Sequence, residues 1–240
     1  MRYLIKFSYD GTNFCGYQKQ PQKRCVESEL EKALYDINNH TKTKVIGAGR
    51  TDRGVHANCQ CACFDITVDI TLYKLKCALN TYTDKDIYIK NVEVVDASFH
   101  ARYMVKKKEY IYKLNMGEYN PIERNYVYQY NKELNIEKMK KEIEYLKGTH
   151  DFSAFVNKEE KKESYVRTIY DASITKENNI LIFRFIGNGF LKYQVRNMVG
   201  ALIEVSTKNK SIDYILKSKD RCSFGKTAGA EGLYLNNVEY

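Results

Sequence analysis

The sequence has few residues that interrupt regular structure and no long apolar run. Only two of its 240 residues are proline and thirteen are glycine, which argues against a disordered or linker-rich chain. No apolar run approaches the roughly 20 residues that a membrane-spanning helix needs. Residues 1–11 alternate in polarity like a strand and contain no long apolar core, which argues against a secretory signal. We therefore expect a folded cytoplasmic protein that binds no membrane.

Motifs for nucleotides, metals and hydrolysis are also missing. Residues 225–227 (GKT) resemble the end of a phosphate-binding loop, but Asp220 stands where that motif has its first glycine. Gly47 and Gly49 begin a dinucleotide-type G-x-G pattern, which Asp52 breaks. Zinc-protease, serine-hydrolase and calcium-loop patterns are absent. Because the four histidines are scattered along the chain, we predict no metal site.

The seven cysteines fit neither a disulfide framework nor a zinc site. A cytosolic chain keeps its thiols reduced, and no C-x-x-C pattern occurs. Cys59, Cys61 and Cys63 alternate, so they are predicted to share one face of a strand. Alternate strand residues lie roughly 7 Å apart, too far for three sulfurs to bind one zinc at about 2.3 Å each without a bend. We interpret these cysteines as small core residues.

Positive charge and tyrosine, in contrast, are abundant. The formal net charge is +9, and the chain contains 21 tyrosines. Such a balance favours an RNA or DNA partner. A proteome rich in lysine and tyrosine gives the same numbers to proteins of other functions, so composition alone leaves both interpretations open.

Hydrophobic periodicity predicts two halves that each combine helices with strands. In the first half the order is β-α-β-β-α-β, with strands at 2–10, 44–49, 59–66 and 86–95 and helices at 26–37 and 71–80. The second half has strands at 109–116, 167–175, 179–187 and 233–240 and helices at 136–146, 190–205 and 212–217. Strands 167–175 and 179–187 are expected to form a hairpin around residues 177–178, and the first of these helices is expected to end at Gly148. The mixed-charge residues 158–162 are typical of a solvated loop. We expect an α+β fold of two weakly pseudo-symmetric halves, with the functional site in the cleft between them.

Residues 47–57 (GAGRTDRGVHA) form a glycine-rich segment after a predicted strand. Asp52 lies between Arg50 and Arg53, whose positive charges favour its carboxylate form. A carboxylate in this setting suits a nucleophile or an electrostatic stabiliser. It also suits a turn residue that accepts backbone hydrogen bonds, and this segment alone favours the turn residue over the catalytic role.

Two further segments contain candidate functional residues. Residues 99–112 mix cations with tyrosines, including Tyr110, a composition that suits RNA phosphates and bases or an edge strand protected by lysines. In the helix predicted at 190–205, Arg196 lies beside the apolar stripe. A buried arginine needs a carboxylate partner, for which Asp52 is the candidate, whereas an arginine that reaches solvent needs none.

Six segments resemble, in order and spacing, the TruA family of tRNA pseudouridine synthases, and the resemblance runs nearly end to end. The segments are YDGTNFCGYQKQ (9–20), GAGRTDRGVHA (47–57), FHARY (99–103), GTHDFSAF (148–155), GFLKYQVRNMVG (189–200) and EGLYL (231–235). The resemblance implies two α/β halves, 1–105 and 106–240, that share one continuous, mostly antiparallel sheet with a central cleft. It also implies a homodimer that binds tRNA.

The resemblance assigns roles to five residues. Asp52 matches the catalytic aspartate, Arg50 the arginine that positions the flipped-out nucleotide, and Tyr110 the tyrosine that stacks on the uracil. Arg196 matches the arginine that pairs with the aspartate, and Leu233 lies in the C-terminal pocket motif. The implied reaction isomerises uridine to pseudouridine at tRNA positions 38, 39 and 40. It gains no atom and oxidises nothing, so we expect neither cofactor nor metal.

The sequence departs from the family pattern at three positions. Tyr17 stands where tryptophan is usual, Arg53 where alanine is commoner, and Gly229 where proline is frequent. None of these changes removes a catalytic group, but Arg53 adds positive charge beside Asp52 and weakens the inference about the exact RNA target. The alternatives are a paralogue with a different RNA target, a non-catalytic RNA-binding protein, and an RNA N-glycosidase that releases free uracil.

Overall fold

A computed structural model describes residues 1–156 and 163–240 of the chain. The described residues form two compact units: unit 1 contains Met1–Lys106 and Leu235–Tyr240, and unit 2 contains Lys107–Tyr234. The predicted solvated loop at 158–162 lies outside the described residues. Within the described ranges, no helix is long and apolar enough to cross a membrane.

Unit 1 has the predicted β-α-β-β-α-β order. Its elements are β1 (Arg2–Tyr9), α1 (Val26–Ile37), β2 (Ile46–Gly47), β3 (His56–Asp65), α2 (Leu72–Tyr82) and β4 (Ile87–Val94). Strand β1 pairs antiparallel with both β3 and β4. Helix α1 buries Val26, Leu30, Ala33 and Leu34, which is the stripe that a 3.6-residue period places on one face. Strand β2 covers only two of the six predicted residues, because the chain bends at Ala48.

Unit 2 contains the remaining elements. They are β5 (Lys107–Asn115), β6 (Tyr128–Gln129), α3 (Ile136–Ile143), β7 (Gly148–Asp151), β8 (Val166–Glu177), β9 (Ile180–Gly187), α4 (Gln194–Thr207), α5 (Ile212–Ser218) and the first two residues of β10 (Leu233–Glu239). Strands β8 and β9 form the predicted hairpin, whose turn contains Asn178 with a positive φ of 53°. Asparagine tolerates this left-handed backbone better than most residues do.

Three features of unit 2 differ from the sequence prediction. Helix α4 begins at Gln194 rather than at residue 190, because Tyr193 has a φ of 62° and cannot continue a right-handed helix. Strands β6 and β7 were not predicted, since two and four residues are too few to display a hydrophobic period. The helix predicted to run to residue 146 and to end at Gly148 stops at Ile143 and is followed by a 3-10 turn at Glu144–Leu146; Gly148 begins β7 with a φ of 101°, a conformation that glycine adopts readily.

The strands join in a single ten-stranded sheet, which confirms the predicted α+β class with one continuous sheet. The order along the sheet is β4-β1-β3-β10-β5-β9-β8-β7, with β2 paired to β3 and β6 paired to β5. The sheet is mostly antiparallel, although β5 and β6 pair in parallel. Strand β5 has neighbours on both sides, so the edge-strand interpretation of its lysines is wrong.

Candidate active site

Asp52 lies in unit 1, in the loop that connects β2 to β3, and buried side chains hold the residues just before it. The Tyr9 hydroxyl and Thr51 Oγ1 are 2.8 Å apart. Gln60 Nε2 donates to the Gly49 carbonyl oxygen at 3.0 Å. We call Tyr9, Thr51 and Gln60 the loop clamp. All three are buried, and burial raises the pKa of Tyr9 to about 12, so its phenol stays neutral at physiological pH.

Residues 10–18, which follow β1, contact the same loop closely. The Tyr17 backbone N–H donates to the Thr51 carbonyl oxygen at 3.1 Å. Gly16 has a φ of 101°, and a Cβ built on it would lie 3.0 Å from that same oxygen. A Cβ on Gly11 would overlap the Val55 carbonyl. The two glycines therefore permit a backbone approach that no larger residue allows, and the segments 9–20 and 47–57 form one local structure.

His56 anchors the far end of the loop. It is buried, and its Nδ1 accepts a hydrogen bond from the Gly11 N–H at 3.0 Å. Asp10 Oδ1 lies 3.2 Å from the same nitrogen. A neutral ring that accepts at Nδ1 has its proton on Nε2. His56 thus holds the start of residues 10–18 against the end of the loop.

The two predicted polar residues of this loop differ in exposure. Asp52 is half-buried, and its carbonyl oxygen accepts from the Val55 N–H at 3.2 Å to close a turn. Gly54 supplies the positive φ of 78° inside that turn. Arg50 is exposed, and its Nη1 donates to Gln18 Oε1 at 2.7 Å. The loop therefore places a carboxylate and an accessible guanidinium two residues apart on a constrained backbone.

In unit 2, Tyr110 is a buried residue of the regular strand β5. It lies opposite Phe185 of β9. Its ring meets the edge of Phe190 with centroids 5.1 Å apart and an interplanar angle of 80°, a favourable aromatic geometry. Tyr112 shares its face of the strand because side chains alternate, and the Tyr112 hydroxyl donates to the Gly229 carbonyl oxygen at 2.9 Å.

Arg196 lies in the first turn of α4 and is half-buried. Its Nε donates to the Ala228 carbonyl oxygen at 2.9 Å, and the Ala228 N–H donates back to the Arg196 carbonyl oxygen at 3.2 Å. The guanidinium carbon also lies 5.3 Å from the centre of the Tyr193 ring, within cation–π range. Tyr193 is the residue with the left-handed backbone, which is a conformation of high energy. Its ring lies beside the Arg196 guanidinium.

Leu233 is buried at the start of β10, and its N–H donates to the Ala230 carbonyl oxygen at 3.0 Å. Just before it, Gly232 accepts from the Lys113 N–H at 2.8 Å. A Cβ on Gly232 would lie 2.5 Å from the Lys113 carbonyl oxygen. The glycine thus allows residues 228–233 to lie against β5 while they also bond to α4 through Ala228.

The predicted site residues therefore fall into two groups. Arg50 and Asp52 share one loop of unit 1. Tyr110, Arg196 and Leu233 belong to unit 2, where residues 228–233 connect their three elements. The sequence analysis missed the loop clamp and His56, although all of these residues lie inside or next to the segments that it singled out. Their role is invisible in the sequence because it depends on hydrogen bonds between residues 11 to 45 positions apart.

The basic and aromatic residues at 99–112 do not form one surface. Tyr103 is 77% exposed, and the His100 ring stacks on it with centroids 4.2 Å apart. Arg102 lies 6.0 Å from the same ring. In contrast, Tyr110 and Tyr112 are buried. Only residues 100–103 therefore offer an exposed cation and aromatic pair of the kind that binds RNA.

The three departures from the family pattern have different surroundings. Tyr17 is 2% exposed, and its hydroxyl is one of two buried side-chain polar atoms that lack a hydrogen-bond partner among the described residues. Arg53 is exposed, so it adds charge to the surface of the loop. Gly229 accepts the Tyr112 hydrogen bond through its carbonyl oxygen. This contact does not use the backbone N–H, which is the group that proline lacks.

Known proteins of a single family match this chain over its full length. A family model described as tRNA pseudouridine synthase matches residues 6–104 and 143–240. The tRNA pseudouridine synthase A of Limosilactobacillus reuteri is 46% identical over 247 residues, which cover 100% of this chain and 96% of that protein. The proteins of the same name from Anoxybacillus flavithermus and Streptococcus mutans are 44% and 43% identical, over 100% of this chain and 98% and 99% of theirs.

The ranges matched by the family model include Arg50, Asp52, Arg196 and Leu233 but not Tyr110, which lies between them. The assignment of Tyr110 therefore depends more than the others on its position in β5 and on its contacts.

Proposed function

Since the chain belongs to the tRNA pseudouridine synthase family and is an isomerase that acts on uridine in tRNA, we propose that it modifies positions 38, 39 and 40 of the anticodon stem-loop. We propose Asp52 as the catalytic residue. The observation that supports this choice is the fixed loop. The Gly49 carbonyl oxygen accepts a hydrogen bond from Gln60 and the Thr51 carbonyl oxygen accepts one from the Tyr17 N–H, so the carboxylate between these anchors and the β3 strand has a defined position.

The reaction breaks the bond between uracil N1 and ribose C1′ and forms a new bond between C5 and C1′. A base in a stem is not accessible to a side chain, so it first leaves the stack at a cost of a few kcal/mol. Arg50 is exposed at the surface of the loop. In our proposal, its guanidinium holds the phosphate of the flipped nucleotide or fills the space that the base vacates.

Asp52 acts as an anion beside the ribose and the base. Three routes use the same carboxylate: addition to C6 of uracil, attack on C1′, and removal of the C2′ proton through a glycal. Each begins with an ionised, well-placed carboxylate. After the base rotates and the new bond forms, the C5 proton leaves, and Tyr110 is our candidate for its relay.

Unit 2 contributes the remaining roles in this proposal. Tyr110 stacks on the uracil, an interaction worth roughly 1–3 kcal/mol per base, and its ring is oriented by Phe190. Arg196 pairs with Asp52 and keeps it ionised, because an adjacent positive charge favours the carboxylate form. Leu233 gives the pocket an apolar wall.

The proposed assembly is a cytoplasmic homodimer in which one tRNA contacts both subunits. The net charge of +9 and the exposed side chains of Arg102 and Tyr103 support an RNA surface. Because phosphate contacts release counterions, we expect the affinity for tRNA to fall steeply as salt rises. An affinity that does not change with salt contradicts this surface.

The test is pseudouridine mapping at nucleotide resolution by carbodiimide labelling. Unmodified tRNA transcripts and total RNA are incubated with the wild-type protein or with Asp52→Asn. We expect new pseudouridines at positions 38, 39 and 40 with the wild type alone. Asp52→Asn keeps the size of the side chain but removes its charge, so we expect it to bind tRNA normally, as measured by filter binding, and to form no product.

The other outcomes separate the alternatives. Pseudouridine at other positions identifies a paralogue with another RNA target. Release of free uracil, which chromatography detects, identifies an N-glycosidase. RNA binding without any product identifies a non-catalytic binding protein. Turnover by Asp52→Asn removes Asp52 from the catalytic role.

A further inference from the structure

Tyr193, the residue just before helix α4, departs from two local preferences. Its φ of 62° and ψ of −4° lie in the left-handed region, which glycine and asparagine occupy more readily than an aromatic residue does. It also stands at the N-cap, where serine, threonine, aspartate and asparagine are preferred because they accept a hydrogen bond from the first turn. The Tyr193 side chain accepts no such bond from the described residues of α4. Neither backbone conformation nor capping therefore explains a tyrosine here.

The backbone is held on both sides of Tyr193. The Leu191 N–H donates to Gln194 Oε1 at 2.8 Å, and the Gln194 N–H donates back to the Leu191 carbonyl oxygen at 3.1 Å. Leu191 and Gln194 are both buried. On the helix side, the Tyr193 carbonyl oxygen accepts from the Asn197 N–H at 2.9 Å. These bonds determine the shape of the turn, which is the condition under which a strained residue persists.

The Tyr193 ring contacts the arginine three residues further along the chain. Residues three apart are neighbours at the start of a helix, and the Arg196 guanidinium carbon lies 5.3 Å from the centre of the ring. The same guanidinium donates through Nε to the Ala228 carbonyl oxygen at 2.9 Å. Two contacts, one with a ring and one with a backbone oxygen, therefore restrict a side chain that is otherwise flexible.

A second cation lies near the same ring but is less shielded from water. Lys192 Nζ is 5.3 Å from the centre of the Tyr193 ring, and Lys192 is exposed whereas Arg196 is half-buried. A cation–π contact gains strength when the cation loses water. A planar guanidinium also stacks on aromatic rings, which an ammonium group does not. The ring therefore acts mainly on Arg196.

We propose that Tyr193 is a positioning residue for the isomerase reaction, and that its ring holds the Arg196 guanidinium in the orientation that the reaction needs. This inference rests on the proposed role of Arg196 as the partner of Asp52. A guanidinium that is oriented before the substrate binds loses little conformational freedom when it forms its contact in the active site. The strained backbone at residue 193 lowers the stability of the turn but places the ring beside the arginine.

Three substitutions at residue 193 separate the effect of the ring from that of the backbone. Tyr193→Phe keeps the ring, so kcat for pseudouridine formation in tRNA should stay within about two-fold of the wild type. Tyr193→Ala and Tyr193→Gly both remove the ring, so kcat should fall about ten-fold in each while KM changes little. Glycine fits the left-handed backbone and alanine does not, so Tyr193→Gly should have the higher midpoint of urea denaturation of these two.

A purely structural role gives a different order of activities. If Tyr193 acts only through stability, kcat is equal in the wild type and all three variants at a temperature where each is folded, and this result overturns the proposal. A kcat of Tyr193→Phe as low as that of Tyr193→Ala also overturns it, because the ring is then not the group that matters. Lys192→Met, which removes the other cation beside the ring, is the matched control and should leave kcat unchanged.

A double-mutant cycle tests whether Tyr193 acts through Arg196. In the Arg196→Met background the ring has no guanidinium to orient, so Tyr193→Ala should lower kcat no further. A second fall of about ten-fold in that background shows that the two residues act independently, and it overturns the assignment.

A measurement on the free protein separates this inference from the proposed function. In a heteronuclear NMR spectrum, the Arg196 Nε–H signal is assigned by its absence from Arg196→Met. Ring currents shift a proton near an aromatic ring, so Tyr193→Ala should move this signal, whereas Tyr193→Phe and Lys192→Met should leave it nearly in place. An unmoved signal in Tyr193→Ala, with kcat still reduced in Arg196→Met, overturns the inference and leaves the proposed function standing. A moved signal with a normal kcat in Arg196→Met overturns the pairing of Arg196 with Asp52, and this inference with it.

Discussion

The loop that carries Asp52 and the elements that carry Tyr110 and Arg196 are positioned by different means. The loop at 48–55 has no regular backbone pattern, and its anchors are side chains of β1 and β3. Tyr110 and Arg196 lie instead in a regular strand and a regular helix, whose own backbone bonds set the direction of each side chain. A site residue on a loop therefore depends on residues elsewhere in the fold, whereas one on a strand or helix depends mainly on its own element.

This difference predicts how each region responds to substitution. In unit 1, changes at glycines and buried polar residues that do not touch RNA should reduce catalysis. In unit 2, changes beside the site residues should be tolerated unless they remove the functional group itself or the Tyr193 ring beside Arg196. Substitutions in both units therefore test whether the two regions differ in this way.

The largest effect is expected from Gly11→Ala. The new Cβ overlaps the Val55 carbonyl, and a clash with backbone is relieved only by moving the loop. We expect the free energy of unfolding to fall by about 4 kcal/mol, in the range of severe core changes, and activity to be lost. The control is Gly189→Ala in unit 2, where the nearest atom to a new Cβ is 3.9 Å away. Equal losses in urea denaturation of the two variants contradict the comparison.

Arg196→Met tests the functional group of unit 2. Methionine keeps the apolar packing but removes the guanidinium that bonds to Ala228. We expect kcat to fall about 100-fold, equivalent to roughly 2.7 kcal/mol of barrier, because the proposed partner of Asp52 is gone. Lys192→Met is the control, since it removes an exposed cation near the same Tyr193 ring; its kcat should stay near that of the wild type. A normal kcat for Arg196→Met excludes the proposed pair.

Gln60→Met tests the loop clamp. It removes the donor to Gly49 and leaves that carbonyl without its partner, so we expect the free energy of unfolding to fall by about 2 kcal/mol. If the clamp positions Asp52, kcat also falls about ten-fold while KM changes little. Asn58→Ala, at an exposed residue of the same strand, provides the control. A variant with reduced stability and unchanged kcat at a temperature where it is folded shows that the clamp is structural only.

The smallest effect compares two buried tyrosines, one in each unit. The Tyr17 hydroxyl has no hydrogen-bond partner among the described residues, whereas the Tyr112 hydroxyl donates to Gly229. Removing an unpaired buried hydroxyl relieves its desolvation penalty, so Tyr17→Phe should raise the free energy of unfolding by about 1 kcal/mol. Tyr112→Phe should lower it by about 1 kcal/mol. Chemical denaturation of both variants measures the sign, and a stability loss in Tyr17→Phe indicates a partner such as ordered water.

Much of the fold was predictable because long, periodic elements carry a strong signal. The order of unit 1, the β8–β9 hairpin and the single mostly antiparallel sheet are all confirmed. The start of α4 was not, because the left-handed backbone of Tyr193 is unusual for an aromatic residue and has no signal in the local sequence. Strands β6 and β7 were missed because elements this short are defined by their partners.

For the site, the sequence identified the relevant segments but few of the contacts between residues of those segments. It placed Asp52 and Arg50 on one glycine-rich loop and Arg196 beside the apolar stripe of a helix, as observed. It did not identify Gln60 or Tyr9, since a glutamine in a strand and a tyrosine at a strand end have no distinctive local pattern. It also treated 99–112 as one cationic and aromatic stretch, whereas Tyr103 in this segment is exposed and Tyr110 is buried.

Residue identity, spacing and local periodicity were enough to predict the family and the order of the main elements from the sequence. The residues that hold the Asp52 loop, and the need for glycine at positions 11 and 16, became visible in the tertiary structure alone. Each of these depends on distances between residues far apart in the chain. Such distances result from strand register and close backbone approach, which the sequence does not display.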